Sequence, residues 1–240
     1  LNFEATKDTT FEECQVVNVI PTVRLLRFAL IYGANASGKS NLLNAIDFLR
    51  GFWFNKKSDI DEETGVIPFL LDTETPNEPS EFNVKFFVGD KRYWYALVLD
   101  NKQVIKENLY VYNSVQPSLV FSRELDGTVS LIKLNAGLVK ANATIVEQLN
   151  VKCLSNMSFF AARNQVNCSL AYIDDVRDWM KNNMMPIIEP GTRMFEYAGK
   201  QMEKNAELKA YIIDFVHKAD YNITDVYTER EKVPIPDFVK

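Results

Sequence analysis

A chain of 240 residues, 47% apolar and 25% charged, has the composition of an ordinary folded protein of one or two domains with a substantial core. Its formal net charge of −5 argues against a dedicated nucleic-acid binder, which needs clustered Lys and Arg. A single histidine, His217, excludes His-clustered metal sites and catalysis by paired imidazoles, and no apolar run approaches the roughly 20 residues of a membrane span.

Residues 1–13 are polar and acidic. Residues 14–20, with Val17 and Val19 alternating, predict a strand closed by Pro21. An apolar run over 25–32 predicts a second strand and leads directly into Gly33-Ala34-Asn35-Ala36-Ser37-Gly38-Lys39-Ser40. That octet fits G-x-x-x-x-G-K-[ST], the pattern of a phosphate-binding loop. Behind it Leu42, Ala45, Ile46, Leu49 and Trp53 recur at helical spacing. Strand, glycine loop, helix is the order the motif requires.

The residue types suit a polyphosphate. Backbone N–H groups at a helix N-terminus hold its charge. Gly33 and Gly38 are expected to take angles a Cβ forbids and to let the main chain approach closely. Lys39 would reach the β and γ phosphates, and the Ser40 hydroxyl would ligate Mg²⁺.

Residues 55–79, rich in Asp, Glu, Thr and Pro, predict an exposed excursion. From Ser80 the period becomes two. Strands are expected at 80–88, 93–100, 103–112, 118–124 and 129–134, with turns at Gly89-Asp90, Asn101-Lys102 and Asp126-Gly127. They read as an antiparallel meander. Beyond Ala136 helical spacing dominates, with Ile173, Val176 and Met180 on one helix stopped near Pro186, and Leu208, Tyr211, Ile212, Phe215 and Val216 on another. Pro190-Gly191 marks a turn, and residues 222–233 read extended. Cys14, Cys153 and Cys168 are odd in number and lack ligand-pair spacing, so they read as reduced thiols. With no signal peptide evident, a cytoplasmic location is expected.

A phosphate loop normally works with a carboxylate at the end of a second buried strand. Asp100 ends an apolar run but is followed by Asn101, which favours turn initiation. Asp214 lies on a helix and belongs on its solvated face. Neither reads as the catalytic acid. Gln165 and Arg163 follow the apolar stretch 159–162 and are candidates to face the γ phosphate, against the plainer reading of a helix-end surface pair. Trp53, Trp94 and Trp179 sit at spacings expected of core or half-buried positions.

Residues 31–43, Ile-Tyr-Gly-Ala-Asn-Ala-Ser-Gly-Lys-Ser-Asn-Leu-Leu, closely resemble the Walker A region of a bacterial AAA/ABC-like P-loop ATPase family, relatives of RecF, SMC and OLD-type ATPases often found in phage-defence or abortive-infection systems. The likeness extends to residues 5–7, 69–72, 79–82, 93–96 and 219–223. It implies an α/β fold of ABC-ATPase type with an inserted antiparallel β-meander and a helical subdomain. The implied division is an ATPase lobe at 1–135, a helical subdomain at 136–221, and the start of a returning strand at 222–240. Carried over by position, Lys39 is the catalytic residue, and Gly33, Ala34, Asn35, Ala36, Ser37, Gly38, Lys39, Ser40 and Asn41 bind the nucleotide, with Gln165 loosely matching a Q-loop and Ser40 holding Mg²⁺. The signature loop, acidic Walker B strand and switch histidine of that family have no counterpart in these residues, so the chain is expected to be a truncated, N-terminal half.

The resemblance implies ATP and Mg²⁺ as cofactors and hydrolysis between two head-to-tail subunits of a homodimer, coupled to an effector or a DNA-related transaction. A nucleic-acid partner has no support from charge. The alternative is an ATP-sensing module whose helical region recruits a partner. No N-K-x-D base-reading motif supports GTP.

Overall fold

A computed structural model describes residues 1–219, 222–227 and 229, which form a mixed α/β architecture dividing into two compact units, Leu1–Ile187 and Ile188–Lys240.

The first unit begins with α1 (Glu12–Gln15) and an antiparallel pair, β1 (Val16–Ile20) and β2 (Val23–Leu26). Cys14 therefore lies in a helical turn rather than in the expected strand. Helix α2 spans Lys39–Phe52. Five strands follow: β3 (Ser80–Val88), β4 (Lys91–Leu99), β5 (Val104–Tyr112), β6 (Ser118–Asp126) and β7 (Val129–Leu134). They pair in sequence order, all antiparallel, as the two-residue periodicity predicts. Asp126 still pairs with Val129, so the last turn is Gly127-Thr128, one position beyond the expected one. Asp100 does initiate its turn, its Oδ1 accepting from the Lys102 and Gln103 amides at 2.7 and 2.8 Å.

The expected strand at 25–32 is not formed beyond Leu26. Phe28, Leu30, Ile31 and Tyr32 are exposed, Leu30 at 82% and Tyr32 at 93%. A strand is stable only when a neighbour takes its N–H and C=O groups, and among the described residues none runs beside this segment. Apolar residues alone do not make a ladder.

One face of the meander is buried. Tyr93, Tyr95, Leu97 and Leu99 on β4 alternate inward and are essentially inaccessible. Helices α3 (Ala143–Lys152), α4 (Phe159–Arg163) and α5 (Ile173–Asn183) contribute to the same core. Asn142, the first residue of a sequon-like triplet, caps α3 by accepting from the Ile145 amide. Phe121 stacks on Phe159 at 4.0 Å and Phe86 on Trp179 at 4.6 Å, and Trp53 meets Tyr95 edge-on at 5.6 Å. Each such pair adds about 0.5–1.5 kcal/mol beyond area burial. Helices α3 to α5 share this core, and the compact units divide at Ile187/Ile188.

Charged side chains lie inside it. Arg123 and Glu107 form a fully buried ion pair at 3.1 Å. Arg123 also donates to the carbonyls of Leu154, Ser155 and Met157 and to Ser130 Oγ. Glu107 accepts from Tyr95 Oη at 2.9 Å and from the Phe159 amide at 2.8 Å. The pair thus pins residues 154–159 to the meander. Burial pushes the Glu107 carboxyl up, against the downward pull of Arg123.

Cys153 lies beside this pair, and burial pushes its thiol up to about 11. Since the thiolate is the reactive form, iodoacetamide on the native protein should modify the exposed Cys14 and spare Cys153 until denaturant is added. Peptide mapping checks this. Early labelling of Cys153 would mean that the core opens on its own.

In the second unit, α6 (Phe195–Lys204) precedes α7 (Ala206–Lys218). Asp214 pairs with Lys218 at 2.7 Å on the exposed side of α7, as its position on a solvated face predicts. Residues 222–227 carry no regular secondary structure. Of the remainder of the predicted returning strand all but residue 229 lies outside the described residues, as do Asp220 and Tyr221 before it. Among the described residues no helix is long and apolar enough to cross a membrane.

Candidate functional site: the glycine loop ahead of helix α2

Helix α2 is anchored at its far end and free at its near end. Leu49 and Phe52, with Trp53 after them, are buried in the core, and Ser158 Oγ donates to the Trp53 carbonyl at 3.0 Å. The first turn, by contrast, projects from the surface with Ser40 and Asn41 exposed. The core therefore holds the loop from behind without covering it.

No side chain caps α2, and its first turn carries no acid. Its leading amides and the positive end of its dipole are thus open to an anion. Gly38, at the cap, has φ +86°, where an L-residue is strained by about 1–2 kcal/mol. Gly33 serves differently from expectation. Its φ is not left-handed, but a Cβ there would meet Ser37 Oγ at 3.0 Å. The second left-handed residue is Ala36, at φ +61°, so the bend is made by a residue that ordinarily avoids it.

Lys39 is folded back into the loop. Its Nζ donates to the Gly33 carbonyl at 2.9 Å, the Ala34 carbonyl at 2.6 Å and Ser37 Oγ at 3.4 Å. An ammonium held by two loop carbonyls sits where the loop curls around it, and a polyphosphate oxygen offers it a charged acceptor in place of a neutral one. The donors present fit such a group: open amides, one cation and the Ser40 hydroxyl. For Mg²⁺ the loop's own hydroxyl is that of Ser40, and no group of three or more acidic, His or Cys residues gathers among the described residues. A hard cation needs more oxygen ligands than one, so phosphate oxygens and water would supply the rest.

Other candidates are engaged elsewhere. Arg163 is buried, donating to the carbonyls of Val166 and Cys168 and pairing with Asp174 at 2.8 Å. It fastens the loop before α5 and is not a phosphate clamp, a correction to the sequence reading. Gln165 is half-buried, and its Nε2 donates to the Ala161 carbonyl at 3.4 Å. Asn41 lines a groove with Asn44, Ala45 and Phe48 of α2 and residues 65–71.

Gly38→Ala should weaken any ligand of this loop by roughly tenfold, the equivalent of the 1–2 kcal/mol strain, while leaving the core intact. Paired affinity and urea-unfolding measurements check it.

Residues 28–130 match the model of a family described as AAA domain, putative AbiEii toxin, Type IV TA system. No curated protein and no solved structure matches the chain.

Proposed function

We propose that the loop at 33–40 binds the triphosphate of ATP with Mg²⁺, a reading supported by the match of residues 28–130 to an AAA-domain family model. In the complete protein, hydrolysis is coupled to closure of a head-to-tail homodimer that drives a defence effector or a DNA-related transaction. The observation that carries this reading is the Lys39 ammonium, held at the centre of the loop by the Gly33 and Ala34 carbonyls at the uncapped end of α2.

Each group has a separable task. The amides at the start of α2 hold phosphate oxygens, and Lys39 moves from carbonyl to phosphate contacts and meets the charge that develops on transfer. Ser40 contributes one oxygen to the ion that accompanies the nucleotide. Gln165 faces the γ phosphate only if its side chain leaves Ala161. Magnesium, when bound, neutralises part of the phosphate charge.

A second reading, an ATP-sensing module without turnover of its own, is favoured by the placement of the two best carboxylates. Asp100 is committed to its turn and Asp214 to an exposed helix pair. Phosphate release by the complete protein and its Lys39→Ala variant separates the readings. Turnover abolished by the substitution, with partner binding unchanged, supports the ATPase. Turnover that survives it makes the loop structural. Absent turnover in both, with partner capture that depends on ATP and on Lys39, supports the sensor.

A further inference from the structure

At the far end of α2 from the phosphate loop, a pocket of ≈ 650 Å³ lies between Arg50, Phe54, Asn164 after α4, and one face of α5. That face presents Arg177, Met180, Lys181 and Met184, spaced i, i+3, i+4, i+7. Phe54, Met180 and Met184 make an apolar floor, Met180 being only 1% exposed. Arg50, Arg177 and Lys181 form the rim, and Asp178 lies among them. Arg177 is already paired with Asp174 and Asp178, at 3.2 and 2.8 Å. Arg50 gives Nε and Nη2 to Asp47 and keeps Nη1 open. Lys181 is exposed and has no ion pair among the described residues.

An apolar floor inside a cationic rim suits an apolar anchor flanked by acids, and the chain carries one. Residues 59–63 read Asp-Ile-Asp-Glu-Glu, with Ile60 51% exposed between two aspartates. A single exposed isoleucine is ordinary. This one stands on a loop tied down from the core. Asn156, itself fully buried, donates through Nδ2 to the carbonyls of Asp59 and Glu62 at 2.8 and 2.7 Å. Glu62 Oε1 accepts from the Ser58 and Asp59 amides at 2.9 and 3.0 Å. A loop so held has lost its freedom before any partner arrives, which favours docking. The Asp61 and Glu63 carboxylates make no hydrogen bond or ion pair among the described residues, so their charge is unspent.

We propose that a second copy of this chain docks here, inserting Ile60 between Phe54, Met180 and Met184 while Asp61 pairs with Lys181. An acidic segment of another protein would suit the same floor. The second copy is favoured because one chain carries both halves of the contact, and each half holds a charge with no partner of its own. The contact is small, so the association is weak. Its opposed charges steer the encounter and are screened by salt. It uses no residue of the phosphate loop, so it forms without nucleotide and is distinct from closure of the ATPase face.

The test is sedimentation velocity of the complete protein without ATP or Mg²⁺, at roughly 50 mM salt and from about 1 to 300 µM protein. The mean mass should rise with concentration. Ile60→Asp and Lys181→Glu should each weaken association by about tenfold or more. Combining Lys181→Glu with Asp61→Lys should restore it, because the reversed charges pair again across the contact. Lys39→Ala should leave it unchanged, which separates this surface from the phosphate loop. Ile60, Asp61 and Lys181 are exposed, so the variants keep the fold, as circular dichroism will verify. A constant mass throughout, indifference to Ile60→Asp, or no recovery in the charge-swapped variant would each overturn the proposal. A constant mass together with Lys181-dependent binding of a labelled peptide of residues 56–65 would overturn the second copy in favour of another protein's acidic segment.

Discussion

Arg123→Ala lowers the free energy of unfolding by about 3–5 kcal/mol. The substitution strands the Glu107 carboxylate, which is fully buried with Arg123 as its only cationic partner among the described residues. It also removes the donors to Leu154, Ser155 and Met157, which fix the segment leading into α4. Ser158 on that segment holds the Trp53 carbonyl just beyond α2, so loosening the pair also loosens the support of the phosphate loop. Domains are stable by only about 5–15 kcal/mol, so the variant is marginal. For that reason a second variant, Arg123→Met with Glu107→Leu, should recover most of the loss, because it removes both charges together.

The pH dependence has a definite sign. Without Arg123, burial acts on Glu107 against only the Phe159 amide and the Tyr95 hydroxyl, and holds its folded-state value further above the ordinary 4.5. Above 4.5 the folded variant then carries more protons than the unfolded chain, so its stability falls as pH rises. The deficit relative to the native sequence should be smaller near pH 4 than near pH 7. Urea unfolding at the two pH values measures it. An equal deficit at both would mean that Glu107 keeps its charge by other means.

Lys39→Ala removes nucleotide binding, with an expected loss of about 3 kcal/mol or roughly 100-fold in affinity. The ammonium makes its recorded hydrogen bonds only within the loop, to Gly33, Ala34 and Ser37. None of these ties the loop to the core, so stability without ligand should hardly change. Saturating Mg-ATP, at 100 times the dissociation constant, stabilises the native sequence by about 2.7 kcal/mol. The variant at that concentration should gain well under half of this. Thermal unfolding with and without nucleotide reads both quantities.

Much of this fold is legible in the residues. Two-residue alternation over 80–112 is strong because one face of β3, β4 and β5 is buried, and the i, i+3, i+4 spacing after Lys39 marks α2 because only one side of it meets the core. The segment 27–32 is misleading because its residues resemble a strand while strand formation depends on a neighbour that local sequence cannot display. The buried ion pair was missed, yet it leaves a trace. Glu107 shares the inward parity of Leu109 and Val111, and Arg123 that of Phe121. A charge on the apolar parity of two adjacent strands is a signal of pairing. In the loop, the glycine-lysine spacing located the site, but not that Ala36 takes a left-handed angle or that Lys39 folds back onto carbonyls. Those depend on the closed path of the backbone between β2 and α2.

The central claim is that main-chain amides and Lys39, rather than a base-reading pocket, hold the ligand. Competition calorimetry tests it most directly, with Mg-ATP bound first and inorganic tripolyphosphate or adenosine added. Tripolyphosphate should displace ATP and adenosine should not. Displacement by adenosine alone, or no heat from ATP, would contradict the account.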